Sequence, residues 1–95
     1  MVDIKITFLS LLADVTQEEE FILSIDEKSS VKDIIEKLVL RYGKEFENII
    51  LKSPDFLNKY IILGLNGKDI RSYDGLKTII QEGDEISFLP AIAGG

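Results

Sequence analysis

Ninety-five residues with an ordinary apolar share make one domain with one modest core, and exclude a disordered chain. A net charge of −6 offers no basic face for nucleic acid, and no apolar run approaches the roughly 18 residues that cross a bilayer, so neither nucleic acid nor membrane is an expected partner. With no cysteine and no histidine, the chain has no disulfide, no thiolate nucleophile and neither the commonest general base nor the commonest metal ligand, so no metal site is expected.

The opening stretch "MVDIKITFL" lacks the basic start, long apolar run and small-residue cleavage site of a signal peptide, and a cytoplasmic protein is expected. Within it Val2, Ile4, Ile6 and Phe8 alternate with Asp3, Lys5 and Thr7, predicting a strand with one buried face. "LLADVTQEE" reads as a turn, and "EFILSI" as a second strand with Phe21, Leu23 and Ile25 on one face. Glu18, Glu19 and Glu20 read as a solvated turn and strand edge rather than an acidic ligand site.

Ser30 and Asp33 have the capping-box spacing, and Val31, Ile34, Ile35, Leu38, Val39 and Tyr42 share one face of the helix they begin. Gly43 follows the last apolar position, where a left-handed terminus favours glycine. Tyr42 reads as a core or boundary aromatic rather than a catalytic phenol. In "KEFENIILKSPDFLNK", Phe46, Ile49 and Ile50 suggest a short second helix and Ser53-Pro54-Asp55 a turn. "YIILGLN" predicts a buried strand, Asn66-Gly67 a hairpin turn, and "KDIRSY" a short return strand. "GLKTIIQEGDEISFLP" predicts a loop with a helical turn, a turn at Gly83-Asp84, and a last strand with Ile86 and Phe88 inward.

This order predicts an α+β domain over residues 1–90, with one main helix on one face of a mixed sheet of about five strands. It is the ubiquitin-like β-grasp order. Residues 91–95 fall outside it and read as a flexible tail.

Motifs for conventional catalysis fail. No pair of carboxylates sits in an apolar context that would split their pKa values, and "DGLKT" and "EGDE" lack the glycines of a phosphate cradle. Asp74 and Asp84 read as turn residues, and Lys77 as a solvated charge. The final "PAIAGG" is different. At ordinary glycine usage two terminal glycines arise by chance about once in 200 chains, and this pair follows directly on a strand-ending proline. A terminal carboxylate becomes reactive once it is converted to a mixed anhydride, as in adenylation by ATP. A partner enzyme that does this needs a slim chain, and glycine, lacking Cβ, lets backbone and catalyst approach closely. Five residues beyond Pro90 reach about 17 Å when extended, enough to enter a narrow cleft. Pro90 then ends the strand, Ala91, Ile92 and Ala93 form the spacer with Ile92 as its contact residue, Gly94 gives clearance, and Gly95 carries the reacting carboxylate. Leu9, Leu11, Ile62 and Leu89 are candidates for an exposed apolar docking patch, because alternation puts some of them opposite the core face. A loop covering the sheet's second face is the alternative.

These residues carry a resemblance. "ITFLSLLADVTQEE" resembles the first hairpin of the MoaD/ThiS family of ubiquitin-like sulfur carriers, "SSVKDIIEKLVLRYG" its helix, "LGLNGKDI" its central hairpin, and "EGDEISFLPAIAGG" its ending. The resemblance covers nearly the whole chain. It implies that Gly95 is adenylated by an activating enzyme of the MoeB/ThiF type, which uses ATP, and is converted to a thiocarboxylate. The domain itself would bind no cofactor and would not be an enzyme alone. In the MoaD branch the tail enters the molybdopterin synthase large subunit (MoaE-like) and donates sulfur in molybdenum or tungsten cofactor biosynthesis. In the small archaeal modifier branch Gly95 joins target-protein lysines. A non-covalent β-grasp binding module with an incidental Gly-Gly is the reading from another class. Three departures stand out: Gln17 occupies a position where glycine is common, "PAI" replaces the frequent "PPV", and the segment from Lys44 to Lys59 exceeds that of the shortest carriers.

Overall fold

A computed structural model describes residues 1–91 of the chain. Strand β1 (Val2–Phe8) leads through helix α1 (Leu11–Thr16) into β2 (Glu20–Ile25), which returns antiparallel with Val2 opposite Ile25 and Thr7 opposite Glu20. Helix α2 (Val31–Tyr42) is followed by α3 (Lys44–Ile50) and a small hairpin of β3 (Leu51–Ser53) and β4 (Phe56–Leu57). Then come β5 (Ile61–Leu65), the short β6 (Lys68–Asp69) and β7 (Glu85–Pro90). The main sheet has the order β2-β1-β7-β5-β6, with β1 and β7 parallel and the other neighbours antiparallel. The last strand therefore lies at the centre of the sheet. This is the expected α+β architecture.

Helix α2 forms because its local signals agree. The Ser30 side chain accepts from the Asp33 N–H, and the Asp33 carboxylate accepts from the Ser30 N–H. Such a reciprocal cap contributes about 1 kcal/mol. Val31, Ile34, Ile35 and Leu38 are fully buried against the inward residues Ile4, Ile6, Ile86, Phe88 and Leu63 of the sheet. Each such side chain stabilises the fold by about 1.5–3 kcal/mol on the transfer scale. Phe8 is the aromatic hub. Its ring centre lies 5.4 Å from Phe88, 5.8 Å from Phe46, 5.6 Å from Tyr42 and 6.2 Å from Phe21, so one side chain joins β1, β7, α3, α2 and β2.

Four expectations change. "LLADVT" is a helix rather than a turn: Leu12 is buried and Thr16 donates back to the Leu12 carbonyl at 2.9 Å, while Gln17 ends the helix with φ 63°. Gly43 has the expected positive φ, 91°, but its ψ of −166° is not left-handed helical, because this one residue both closes α2 and opens α3. The return strand "KDIRSY" shrinks to Lys68–Asp69, and Asp69 caps a 3-10 turn over Ile70–Ser72 that buries Ile70. Ser53-Pro54-Asp55 is a turn as expected, but its flanks pair into β3 and β4. The Asn66-Gly67 hairpin has positive φ at both residues, 51° and 89°, the geometry that makes this dipeptide favourable.

Candidate functional site

The site that the sequence singles out is the end of β7, and the structure describes its root. Ile86 and Phe88 point into the core, while Glu85, Ser87 and Leu89 alternate onto the outer face. Pro90 pairs with Ile61 on β5 and remains part of the strand. Pairing continues one residue further, since the Ala91 N–H donates to the Tyr60 carbonyl at 2.7 Å. Six residues earlier, at Glu85, the same ladder is bonded again, the N–H of Asn66, directly after β5, donating to the Glu85 carbonyl at 2.9 Å. Along an antiparallel pair the bonded positions alternate, so Pro90 falls where no bond to β5 is made and its missing N–H costs the ladder nothing. Pro90 marks the exit without being the last paired residue. Ile92, Ala93, Gly94 and Gly95 lie outside the described residues.

Tyr60 was missed as a functional position. The sequence reads it as the start of a buried strand, yet it precedes β5, half exposed, and offers its carbonyl to the departing chain. A tyrosine directly before an apolar strand that pairs with the final strand was the available signal.

Of the four docking candidates, Ile62 and Leu89 stand directly opposite each other on β5 and β7, half buried, on the face turned away from α2. Leu9 continues that row, its N–H donating to the Phe88 carbonyl at 3.0 Å, and is exposed. Leu11 opens α1 two residues further on and is also exposed. Elsewhere the outer face is polar apart from an exposed Ile22 on β2: Lys5 pairs with Glu20 at 2.7 Å and Thr7 donates to Glu85 at 2.9 Å. The apolar end of this face is thus the end from which the chain leaves.

Groups that might do chemistry inside the domain are committed elsewhere. Tyr42 donates to Glu18 at 2.7 Å, and Arg41 completes that cluster at 3.0 Å from the same carboxylate and 4.2 Å over the Phe21 ring. Burial, reinforced by the Glu18 hydrogen bond, holds the Tyr42 phenol well above its ordinary value, so no phenolate forms near neutral pH. The glutamate run is accordingly a structural clasp at Glu18 and a salted strand edge at Glu20. Among the described residues no three carboxylates gather as a metal site. Also among them, no helix is long and apolar enough to cross a membrane.

Comparison with known proteins decides the family. The ThiS family model matches residues 6–95, nearly the whole chain. This chain belongs to the ThiS family. The match does not choose among the branches of that family. A putative sulfur carrier protein of Archaeoglobus fulgidus is 40% identical over 74 residues, covering 77% of this chain and 83% of the relative. The small archaeal modifier protein 1 of Methanosarcina acetivorans superposes with a TM-score of 0.84 at 28% identity, covering 100% of this chain and 98% of that one. The Amycolatopsis orientalis BexX/CysO complex gives a TM-score of 0.75 at 25% identity, over 97% of this chain and 99% of the matched one. The fold is therefore the β-grasp of ubiquitin-like carriers and modifiers, and the family is one of small carriers rather than catalysts.

Proposed function

We propose that this ThiS-family chain is a sulfur carrier that works through the carboxylate of Gly95. A partner enzyme of the MoeB/ThiF type holds ATP; the carboxylate attacks the α-phosphorus and pyrophosphate leaves. A sulfide-level donor then displaces AMP from the acyl carbon, leaving a thiocarboxylate. The domain itself holds no cofactor in this scheme and acts in the cytoplasm. Ile92, Ala93 and Gly94 thread the partner's cleft, and Leu9, Leu11, Ile62 and Leu89 dock beside its mouth.

The observation that carries this reading is the fixed root. The centre strand is held in register as far as Ala91, and only two residues separate it from the Gly-Gly sequence. A rigid root with a short spacer limits the conformational freedom lost on threading to the tail alone, about 1–2 kcal/mol per residue. The named relatives support a carrier, and the CysO neighbour occurs in a complex with another protein.

Pyrophosphate exchange with the adenylating enzyme of the same genome, followed by intact mass after adding ATP and sulfide, tests the proposal. An oxygen-to-sulfur mass change on Gly95 is expected. No exchange and no mass change would sink it. The first acceptor to test is a molybdopterin-synthase-type large subunit (MoaE-like), by copurification. The likeness to small archaeal modifier protein 1 supports a second reading, conjugation of Gly95 to target lysines. Lysine-linked conjugates in cells, lost on removal of Gly95, would favour it.

A further inference from the structure

Residues 51–62, the hairpin of β3 and β4 and the start of β5, differ in charge from everything around them. They carry Lys52 and Lys59 against one acid, Asp55: +1, which leaves −7 on the rest of a chain whose total is −6. Asp55 is also engaged. It bonds Lys32 on α2 at 2.6 Å, and that ammonium holds its carboxyl below the usual value, so the pair contributes no free negative charge to the hairpin.

The same segment displays aromatic surface that the core does not use. Phe56 is 67% exposed and Tyr60 56% exposed, whereas every phenylalanine near the Phe8 hub is buried or half buried. Lys52, Phe56 and Lys59 line one open depression of about 760 Å³, and the Lys59 ammonium lies 5.1 Å from the centre of the Tyr60 ring. The hairpin is held firmly for a surface element: Leu57 pairs with Leu51 against the core, the Asn58 N–H reaches the Ile50 carbonyl at 2.8 Å, and Lys32–Asp55 pins its tip. Tyr60 in turn is the residue whose carbonyl binds Ala91. The patch therefore abuts the root of the tail.

Resting on the carrier reading, we propose that Lys52, Phe56, Lys59 and Tyr60 form a docking surface for an acidic, partly apolar face of the enzyme that adenylates the tail. A partner engaged with the tail must pass Tyr60. An acidic face is repelled by the outer side of the sheet, where Asp3 and Glu85 stand beside the Lys5–Glu20 pair, and accepted by this patch, so the charge contrast fixes which way round the partner sits. The exposed aromatic rings supply the area that water leaves on docking, and the lysines supply orientation and encounter rate.

The probe is the adenylating enzyme that supports pyrophosphate exchange with the wild-type chain. The Lys52→Glu/Lys59→Glu double variant should raise the KM for this chain about 10–100-fold at low salt with kcat unchanged, and the gap should narrow as salt shortens the screening length. Phe56→Ala should raise KM about tenfold at every salt concentration. Lys59→Gln, which removes charge without reversing it, is the milder companion if the double variant melts lower, and should raise KM in the same direction. Unchanged KM in all three variants, or a fall in kcat instead, would overturn the inference. So would a wild-type chain that sediments as a dimer and becomes monomeric in the double variant, because the patch would then bind the acidic face of a second copy. If no enzyme activates the wild type, the carrier reading itself fails, which is a different result from unequal variants.

Discussion

Strand β7 is held at its first residue by the side chains of Asn66 and Asp84 and a backbone bond from β1, and at its last by one backbone bond. Where it enters the sheet, Asn66 donates to Asp84 at 2.9 Å and accepts from the Glu85 N–H at 2.8 Å, and Asp84 also accepts from the Gln81 N–H at 2.8 Å. The Lys5 N–H reaches the Asp84 carbonyl at 2.9 Å, tying β1 to the same corner. Where it leaves, only the bond from Ala91 to the Tyr60 carbonyl continues the ladder, and the side chains of Leu89 and Pro90 stay partly open. One strand thus has an end locked by side chains and an end that, on the proposed function, delivers the tail. Removing a side chain should cost stability at the first and function at the second.

The largest expected effect lies at the delivery end. Removing Gly95, or extending the chain beyond it, should reduce adenylation to background while the melting temperature moves by less than about 1 °C. Gly94→Val should do nearly the same, because a branched Cβ crowds the cleft the tail must enter. A melting temperature lowered by several degrees would erase the contrast between the two ends. Next in size is a pair of adjacent residues. Phe88 is fully buried between the rings of Phe8 and Phe46, so Phe88→Ala should cost about 3–5 kcal/mol in denaturant unfolding, or prevent folding. Leu89→Ala, one residue on and facing outward, should cost under about 1 kcal/mol and raise the KM for activation. Equal stability losses at the two positions would mean that the outer face is covered.

Asn66 tests the other end. Its side chain makes two hydrogen bonds and its backbone takes φ 51°. Asn66→Ala loses both bonds and strains alanine in the left-handed region, for about 1–3 kcal/mol. Asn66→Gly loses the bonds alone and should fall about halfway. Neither should change kcat for adenylation, measured on the folded fraction.

Legibility in the sequence follows from how local the cause is. The α2 helix was readable because cap, apolar stripe and terminating glycine lie within fourteen residues, Ser30 to Gly43. The Asn66-Gly67 hairpin and the Gly83 turn were readable because their backbone angles demand those residues. Helix α1 was not, because six residues do not hold a helix by themselves; Leu12 packing into the core does. The same applies to β3 and β4, whose hairpin is held by Leu51 and Leu57 against the core and by Lys32, 23 residues before Asp55, at its tip. At the candidate site, Pro90 could be placed from sequence, but the pairing of Ala91 with Tyr60 could not, since it depends on the register of β5 against β7.

Gln17 joins the missed helix to a feature that was visible. Glycine is common at this position in the family the chain resembles, and the structure supplies the reason: residue 17 closes α1 with φ 63° and ψ 23°, its N–H bonded to the Ala13 carbonyl at 2.9 Å. A residue with a Cβ is held there at a cost of about 1–2 kcal/mol, partly offset here by the Gln17 side-chain amide, which donates to the Asp14 carbonyl at 2.7 Å. Gln17→Gly removes the strain, loses that exposed hydrogen bond and adds freedom to the unfolded chain, so the net gain should be about 0.5–1 kcal/mol. Thermal unfolding of the variant measures it. Because residue 17 lies far in sequence from Pro90 and outside the β7 ladder, activation should be unaffected. A loss of stability would show that the glutamine amide, rather than the backbone angle, governs this corner.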